Sequence, residues 1–208
     1  MDFDASFRQW GHVDIGQLQE QVRALPDAAW WQDVEHKQRF AAHRQTQSIA
    51  LIQDVQFCYH RPEKTPAFEL FADAVQPVLE VIAGCLPPRS FVVRMLLARL
   101  PAGACIPLHV DKGASLRFVH RLHVPVLTHP HVPFTVGEET VCLRDGEVWE
   151  INNCRAHGVR SPPTTALRTA NTGSSSPADR ARSISIRILR SDGGIGTPGG
   201  TLKLSPSA

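Results

Sequence analysis

The chain has 208 residues, 42% of them hydrophobic, and its 22 lysines and arginines nearly balance 20 aspartates and glutamates. A chain of this length can bury a sizeable core in one domain without disulfide bonds. The balanced charge gives no reason to expect nucleic acid or an anionic membrane as a partner, so the expected partner is a small molecule or a peptide.

The cysteines and the N-terminal residues predict the environment of the protein. The five cysteines are odd in number and show no paired CxxC spacing, which argues against a disulfide framework and a structural zinc site. The first ten residues, MDFDASFRQW, carry acidic groups where a signal peptide would be basic. No apolar run approaches the ~20 residues that cross a bilayer. We therefore expect a soluble cytoplasmic protein with reduced thiols.

The first part of the chain is predicted to form two helices and one strand. Apolar residues at helical spacing predict a short helix within residues 15–29, ahead of Pro26. A longer apolar stripe predicts a second helix over residues 66–86, which Pro77 is expected to bend. Between them, residues 46–53 are predicted to form a strand.

After Pro88 the sequence changes to short β-rich segments separated by turns that contain proline or glycine. These segments favour a sandwich or jelly roll over a parallel α/β sheet. We expect a jelly-roll domain over residues 1–160 and a low-complexity tail over 161–208. No well-formed strand is predicted directly after His157. The predicted strands cover residues 91–100, 104–110, 117–127, 134–136, 140–143, 147–152 and, more weakly, 183–189.

Two histidines and one carboxylate in the β-rich part are candidate metal ligands. His109 and Asp111 lie in one tripeptide, and His157 lies far downstream. Three ligands of this kind leave coordination positions open for a co-substrate and oxygen, which an iron(II) oxygenase needs. Each residue also has an ordinary structural interpretation, as a strand histidine, a turn former and a loop histidine. The tripeptide alone is weak evidence, because His12-Val-Asp14 is a second copy, in which Asp14 is more simply a helix N-cap.

The predicted strand over residues 117–127 has two different faces, because side chains alternate along a strand. The face that carries arginine and histidine either lines a polar pocket or is a solvated outer face. Arg121 is a candidate carboxylate ligand there, since a guanidinium offers a planar two-pronged donor. One face holds Phe118, Leu122, Val124 and Val126, and the other holds Arg117, Val119, Arg121 and His123.

From about residue 40 to residue 159 the chain resembles the aspartyl/asparaginyl β-hydroxylase and proline hydroxylase group of iron(II), 2-oxoglutarate-dependent oxygenases. The resemblance implies a mainly β fold with flanking helices, a double-stranded β-helix (cupin-like jelly roll) in which helices back one sheet. It is carried by ordered blocks: His43-Arg-Gln-Thr-Gln-Ser-Ile, Arg99-Leu-Pro-Ala-Gly103, Ile106-Pro-Leu-His109-Val-Asp111, Arg121-Leu-His123-Val-Pro125, Asp145-Gly-Glu-Val-Trp149, and Asn152-Asn153 leading to His157-Gly-Val159.

The resemblance also implies a set of site residues. His109, Asp111 and His157 would bind iron(II), and Arg121 and His123 would contact the carboxylate of 2-oxoglutarate. The implied reaction consumes O2, hydroxylates a C–H of an amino acid, either proline-like or aspartyl/asparaginyl and either free or in a peptide, and releases succinate and CO2. No catalytic residue is needed beyond the metal site. A substrate carboxylate has three candidate partners, Arg117, Arg94 and Arg44.

The tail departs from the family pattern. Members of the family continue from the distal histidine into a strand that begins with an arginine, the second contact to 2-oxoglutarate. One hypothesis is a long insertion that delays this strand, so that Arg180 or Arg182 takes the role; Arg168 has roughly the right offset but poor strand context. The other is a reading frame that has slipped near Ser161, so that the tail is not a selected sequence.

Two other classes of protein compete with an active oxygenase. A non-catalytic or degenerate cupin module would bind metal or a small carboxylate without turnover, and the defective tail favours this class. A zinc hydrolase would also use two histidines and a carboxylate. It would need a general base that no motif provides, and it gives the Arg121 block no role.

Overall fold

The computed structural model describes residues 3–31, 43–53, 62–87, 90–111, 119–163 and 180–190. These residues form eleven strands, two α-helices and a short 3-10 helix. In chain order they are β1 (Phe7–His12), α1 (Gly16–Ala24), the 3-10 helix Asp27–Trp31, β2 (Gln47–Gln53), β3 (Glu63–Lys64), α2 (Pro66–Cys85), β4 (Ser90–Pro101), β5 (Cys105–His109), β6 (Val119–Leu127), β7 (Pro133–Val136), β8 (Glu139–Cys142), β9 (Glu147–Ile151), β10 (His157–Arg160) and β11 (Arg180–Arg190).

The strands form two antiparallel sheets. The large sheet has the order β1-β9-β6-β11-β4-β2-β3, and the small sheet has the order β5-β10-β7-β8. From β4 onward the chain passes back and forth between the two sheets, which is the winding of a double-stranded β-helix. The predicted cupin-like jelly roll is therefore confirmed.

The two helices back the outer face of the large sheet, as predicted. Leu18 and Val22 of α1 are fully buried, and so is one side of α2. The apolar stripe of α2 that the periodicity indicates is the buried one: Phe68, Phe71, Val75, Val78, Leu79 and Ile82. The helix begins with Pro66 as its first residue and ends at Cys85, because Leu86 is extended ahead of Pro87. The core of the protein therefore lies between the helices and the large sheet.

The expectation that no well-formed strand follows His157 directly was wrong. Residues His157–Arg160 form β10, which pairs with β5 on one side and with β7 on the other. A four-residue strand that contains Gly158 has too little alternation to be predicted, and its pairing partners supply the order. Gly158 also permits close approach, because a Cβ there would lie 2.7 Å from the carbonyl oxygen of Ile106. The edge strands β1 and β3 were likewise not predicted.

The weakly predicted strand in the tail is present and longer than expected. It spans Arg180–Arg190 as β11 and lies inside the large sheet, between β6 and β4. Ile186 is fully buried among the core residues. The large sheet thus includes residues beyond the predicted domain boundary at residue 160. Apart from residues 161–163 and this strand, the predicted low-complexity tail over residues 161–208 lies outside the described residues.

Two observations bear on the predicted environment. The described cysteines Cys85, Cys105, Cys142 and Cys154 are free thiols, and Cys58 lies outside the described residues. Of the helices in the described part of the chain, none combines the length and the apolarity needed to cross a lipid bilayer.

Candidate metal centre

The three predicted metal ligands meet at one end of the space between the sheets. His109 ends β5, His157 begins β10, and the two residues are direct partners in the ladder between these strands. Asp111 follows two residues after His109. One ligand atom from each of the three side chains lies within 4.8 Å of the others. The group offers two imidazole nitrogens and one carboxylate, the donor set that suits iron(II) in a site with open positions.

Backbone carbonyls orient both imidazoles. His109 Nδ1 lies 2.9 Å from the carbonyl oxygen of Pro107, and His157 Nδ1 lies 3.0 Å from that of Arg155. Each Nδ1–H donates to its carbonyl, so each Nε2 carries the lone pair. His109 Nε2 is buried and has no hydrogen-bond partner among the described residues. A buried acceptor of this kind fits a metal ligand, so the residues present fit an iron(II) ion.

Arg121 forms hydrogen bonds to two of the three candidate ligands, Asp111 and His157. Its Nη1 donates to Asp111 Oδ2 at 2.5 Å and to His157 Nε2 at 2.7 Å. Burial of His157, together with the positive charge of Arg121, lowers the pKa of its imidazole to about 4. His157 is therefore neutral near neutral pH, which is the state in which an imidazole binds a metal ion.

A cavity of about 120 Å³ extends from these ligands between the two sheets. Arg121 and His123 line it from β6, and Arg94 lines it from β4. As alternation predicts, the intervening β6 residues Leu122 and Val124 lie on the opposite face, in the core. The cavity thus brings together the candidate metal ligands His109 and His157, the two predicted 2-oxoglutarate contacts and one of the three predicted substrate arginines.

The other predicted arginines are placed differently. Arg44 is exposed and does not line the cavity, while Arg117 and Arg168 lie outside the described residues. Arg182 lies directly across β4 from Arg99. Arg99 belongs to the helix side of the sheet, where its Nε donates to Gln47 Oε1 at 2.6 Å.

The register of β11 against β4 does not support the prediction that Arg180 or Arg182 is the second arginine that contacts 2-oxoglutarate. Arg180 lies two residues along β11 from Arg182 and so shares its side of the strand. Both positions belong to the helix side of the sheet. Their assignment as the second 2-oxoglutarate arginine stays a prediction.

Two features of the cavity were missed by the sequence analysis. Arg187 of β11 lies directly across from Arg94 on β4 and from Arg121 on β6, so its position belongs to the cavity side of the sheet. The alternating isoleucines of this strand were the available signal, because they mark the opposite side. Thr46, the residue before β2, lines the cavity, and its buried Oγ1 has no hydrogen-bond partner among the described residues.

Comparison with known proteins agrees with the sequence resemblance. The model of the aspartyl/asparaginyl β-hydroxylase family matches residues 72–169, just under half of the chain. This match spans strands β4 to β10 and all three candidate metal ligands. The resemblance to the aspartyl/asparaginyl β-hydroxylases is confirmed. None of the curated proteins matches the sequence significantly.

Solved structures show where else this β-hydroxylase-like fold occurs. An oxidoreductase of the 2OG-Fe(II) oxygenase family from Burkholderia pseudomallei aligns with a TM-score of 0.53 and 14% identity over 89% of this chain and 94% of its own. HygX from Streptomyces hygroscopicus, solved with nickel, 2-oxoglutarate and hygromycin B bound, aligns with a TM-score of 0.52 and 12% identity over 90% of this chain and 84% of its own. AviO1 from Streptomyces viridochromogenes aligns with a TM-score of 0.51 and 14% identity over 93% of this chain and 92% of its own. At these identities the likeness is one of fold, and the family match supports an oxygenase enzyme.

Proposed function

We propose that the protein is an iron(II)- and 2-oxo-acid-dependent dioxygenase that hydroxylates a C–H of an amino acid. The family resemblance implies 2-oxoglutarate as the co-substrate, with succinate and CO2 as co-products. The observation that carries this proposal is the group His109, Asp111 and His157, whose ligand atoms lie within 4.8 Å of one another beside a cavity. An iron ion held there would activate O2, with two electrons supplied by the 2-oxo acid and two by the hydroxylated C–H.

The chain's own residues would hold the reactants. Arg121 contacts two of the candidate metal ligands, Asp111 and His157. It is therefore close enough to bind the carboxylate of a 2-oxo acid that chelates the metal. Arg94 is buried in the cavity wall on β4, and among the described residues it is the predicted substrate arginine that lines the cavity. The lining also contains apolar residues, among them Leu96, Ile106 and Phe134, which would contact the aliphatic part of a substrate. We therefore assign the carboxylate of a proline-like or aspartyl/asparaginyl substrate to Arg94.

The first test is an anaerobic titration of the apoprotein with iron(II) and then with 2-oxoglutarate, monitored by the visible charge-transfer band of a chelated 2-oxo acid. We expect iron to bind and the band to form. Oxygen is then admitted, with free amino acids and short peptides screened for hydroxylation. If iron(II) does not bind, the proposed metal site is wrong and so is the proposed function.

The role of Arg94 has a separate test. Replacement of Arg94 by Gln should raise KM for the amino-acid substrate by about ten-fold or more, because a charge-assisted hydrogen bond is lost. Substrate-independent turnover of the 2-oxo acid should change little. The matched control is Arg44→Gln, since Arg44 is exposed and lies outside the cavity. Equal KM values in the two variants would contradict the assignment.

One observation favours a second function, the non-catalytic cupin module. The register places Arg180 and Arg182 on the helix side of the sheet, away from the cavity. A module of this class would bind iron or another divalent ion but consume no O2 with any 2-oxo acid. Release of CO2 from a carboxyl-labelled 2-oxo acid in the presence of iron and oxygen distinguishes the two functions.

A further inference from the structure

We infer that Asn152 is a positioning residue for the metal ligand His157, because it ties the turn that leads to this ligand to the N-terminal segment Phe3–Ser6. Asn152 is not one of the three candidate ligands, so it would act on the metal group through the turn. The inference rests on the metal site of the proposed function. It goes beyond that function by giving a role in metal binding to a segment that lies about 150 residues away in the sequence.

The imidazole of His157 depends on the turn that precedes it. Strand β9 ends at Ile151 in the large sheet and β10 begins at His157 in the small sheet, so the turn Asn152–Ala156 connects the two sheets. Pairing of β10 with β5 and β7 fixes the backbone of His157. Its ring is oriented by the carbonyl oxygen of Arg155, which lies 3.0 Å from Nδ1. The conformation of the turn therefore sets the direction in which the ring points.

Asn152 forms hydrogen bonds both within the turn and to the N-terminal segment. Its side-chain Oδ1 accepts from the backbone N–H of Cys154 at 3.1 Å, and its carbonyl oxygen accepts from that of Arg155 at 3.1 Å. Asparagine favours turns for this reason. Its own N–H donates to the carbonyl oxygen of Ser6 at 3.0 Å, and its Nδ2 donates to that of Phe3 at 3.1 Å. Asn152 is only 7% exposed, so water competes little for these bonds.

Arg155 gives the turn a second link to the same segment. Its Nη2 donates to the carbonyl oxygen of Asp4, and its Nη1 donates to Ser6 Oγ at 3.4 Å. On the other side, the N–H of Gly137 donates to the carbonyl oxygen of Ala156 at 2.7 Å. The turn is thus held between the N-terminal segment and the end of β7.

The N-terminal segment is anchored to the large sheet. Ser6 is fully buried and directly precedes β1, which pairs with β9. The guanidinium carbon of Arg8 lies 4.5 Å from the ring centre of Phe3 and 5.2 Å from that of Trp10. Such contacts between a cation and an aromatic ring are attractive. The carbonyl groups that accept from Asn152 therefore belong to a segment held at both of its ends.

These contacts form one path from the segment to the metal group. Asn152 fixes the turn, the turn aims the carbonyl of Arg155, and this carbonyl accepts from His157 Nδ1. The bond at Nδ1 sets the direction of the lone pair on Nε2, and loss of such outer contacts typically weakens metal binding by about 10–100-fold. A loosened turn should therefore weaken metal binding although all three ligands remain.

The test compares Asn152→Ala with Gln19→Ala. Gln19 is the matched control, because its side-chain amide also donates to a backbone carbonyl of another segment, that of Val126 at 2.8 Å. Its described side-chain bonds reach Val126 and Asp145, not the turn. Cobalt(II) titration followed by absorption measures metal affinity, and urea denaturation measures stability. Both variants should unfold at lower urea concentration, whereas only Asn152→Ala should weaken cobalt binding, by about ten-fold or more.

A second variant leaves every hydrogen-bonding atom of the turn in place. Phe3→Ala removes only the ring that contacts Arg8 and so loosens the segment. In the metal-free protein, the backbone amides of Cys154 and Arg155 should exchange their hydrogens faster than in the unaltered protein. Cobalt affinity should fall by about three-fold. Combined with Asn152→Ala, it should weaken binding by less than the product of the two separate effects, because both act through the same link.

The outcomes separate this inference from the proposed function. If the unaltered protein binds neither cobalt(II) nor iron(II), the metal site and the proposed function are wrong and the inference falls with them. If the unaltered protein binds metal and Asn152→Ala binds it as tightly as Gln19→Ala does, the inference is overturned and the proposed function stands. If Asn152→Ala does not fold, Phe3→Ala decides: unchanged amide exchange and unchanged cobalt affinity would overturn the inference.

Discussion

The chain contains the same His-Val-Asp tripeptide twice, and the surroundings give its two aspartates different roles. Asp14 lies just before α1, where its Oδ1 accepts a hydrogen bond of 2.9 Å from the backbone N–H of Gly16. Asp111 accepts from Arg121, and its Oδ1 lies 3.9 Å from His109 Nε2. Asp14 is therefore not the predicted N-cap, a position that Ile15 occupies, although it contacts the first helical residue. Asp111 completes the candidate metal-binding group.

This difference gives the first prediction. Asp111→Ala should lower the affinity for iron(II), or for cobalt(II) as a spectroscopic substitute, by about ten-fold or more, because one of three ligands is lost. The control Asp14→Ala should leave metal affinity unchanged and lower the free energy of unfolding by at most about 1 kcal/mol, because Asp14 precedes the N-cap residue Ile15 and contributes one exposed hydrogen bond. Titration monitored by cobalt absorption measures the first effect, and urea denaturation measures the second. Equal metal affinity of the two variants would argue that Asp111 is not a ligand.

At the scale of elements, the distance between β5 and β10 sets the geometry of the metal group, because these strands carry the two histidines. Gly158 belongs to β10, and a Cβ there would be 2.7 Å from the Ile106 carbonyl oxygen and 3.1 Å from the Leu108 nitrogen of β5. A side chain at this position must push the two strands apart. The distance between His109 and His157 would then increase.

The second prediction compares two glycines. Gly158→Ala should lower the free energy of unfolding by about 1–3 kcal/mol through overpacking, and should weaken metal binding as well. A Cβ at Gly84 of α2 would have no neighbouring atom within 4 Å, so Gly84→Ala should raise stability by up to about 1 kcal/mol. Denaturation with and without metal measures both. If the Gly158→Ala protein is as stable as the unaltered protein, β5 and β10 accommodate a Cβ at this position without strain.

Elements with their own periodicity were predictable from the sequence, and elements defined by their partners were not. Helix α2 and strands β4 and β6 carry apolar patterns that depend on one segment alone. Strand β10 is short, and pairing on both sides gives it order. The same limit applies to the site. The candidate ligands were identified from the order of motifs, and the structure brings them together. The position of Arg187 beside Arg94 and Arg121 depends on strand register, which no single segment encodes.

At the scale of the whole molecule, the open question of the tail depends on β11. This strand lies between β4 and β6 and pairs with both. Its Ile186 is fully buried with the core residues of the large sheet. A strand in this position is compatible with the hypothesis of a long insertion ahead of it. The hypothesis of a slipped reading frame is tested by the nucleotide sequence, and it is wrong if no single added or removed base near Ser161 restores the block typical of the family.

The third prediction tests whether β11 belongs to the cooperative fold. Ile186→Ala should lower the free energy of unfolding by about 2–5 kcal/mol, as for other buried isoleucines. The control is Leu108→Ala, which truncates a side chain that is 61% exposed and should change stability by less than about 0.5 kcal/mol. Chemical denaturation compares the two. If Ile186→Ala is as mild as its control, β11 contributes nothing to global stability.

The central position of β11 also determines when this protein is able to fold during its synthesis. Strands β4 and β6 leave the ribosome long before β11 does, and each then lacks the neighbour with which it pairs in the finished sheet. Until about residue 190 has emerged, two strand edges remain open to pairing with other nascent chains. Closing the sheet then requires contacts between residues about 55 to 100 positions apart, which slows folding. Yield of native protein in cells should therefore depend on chaperones that shield these edges until the last strand arrives.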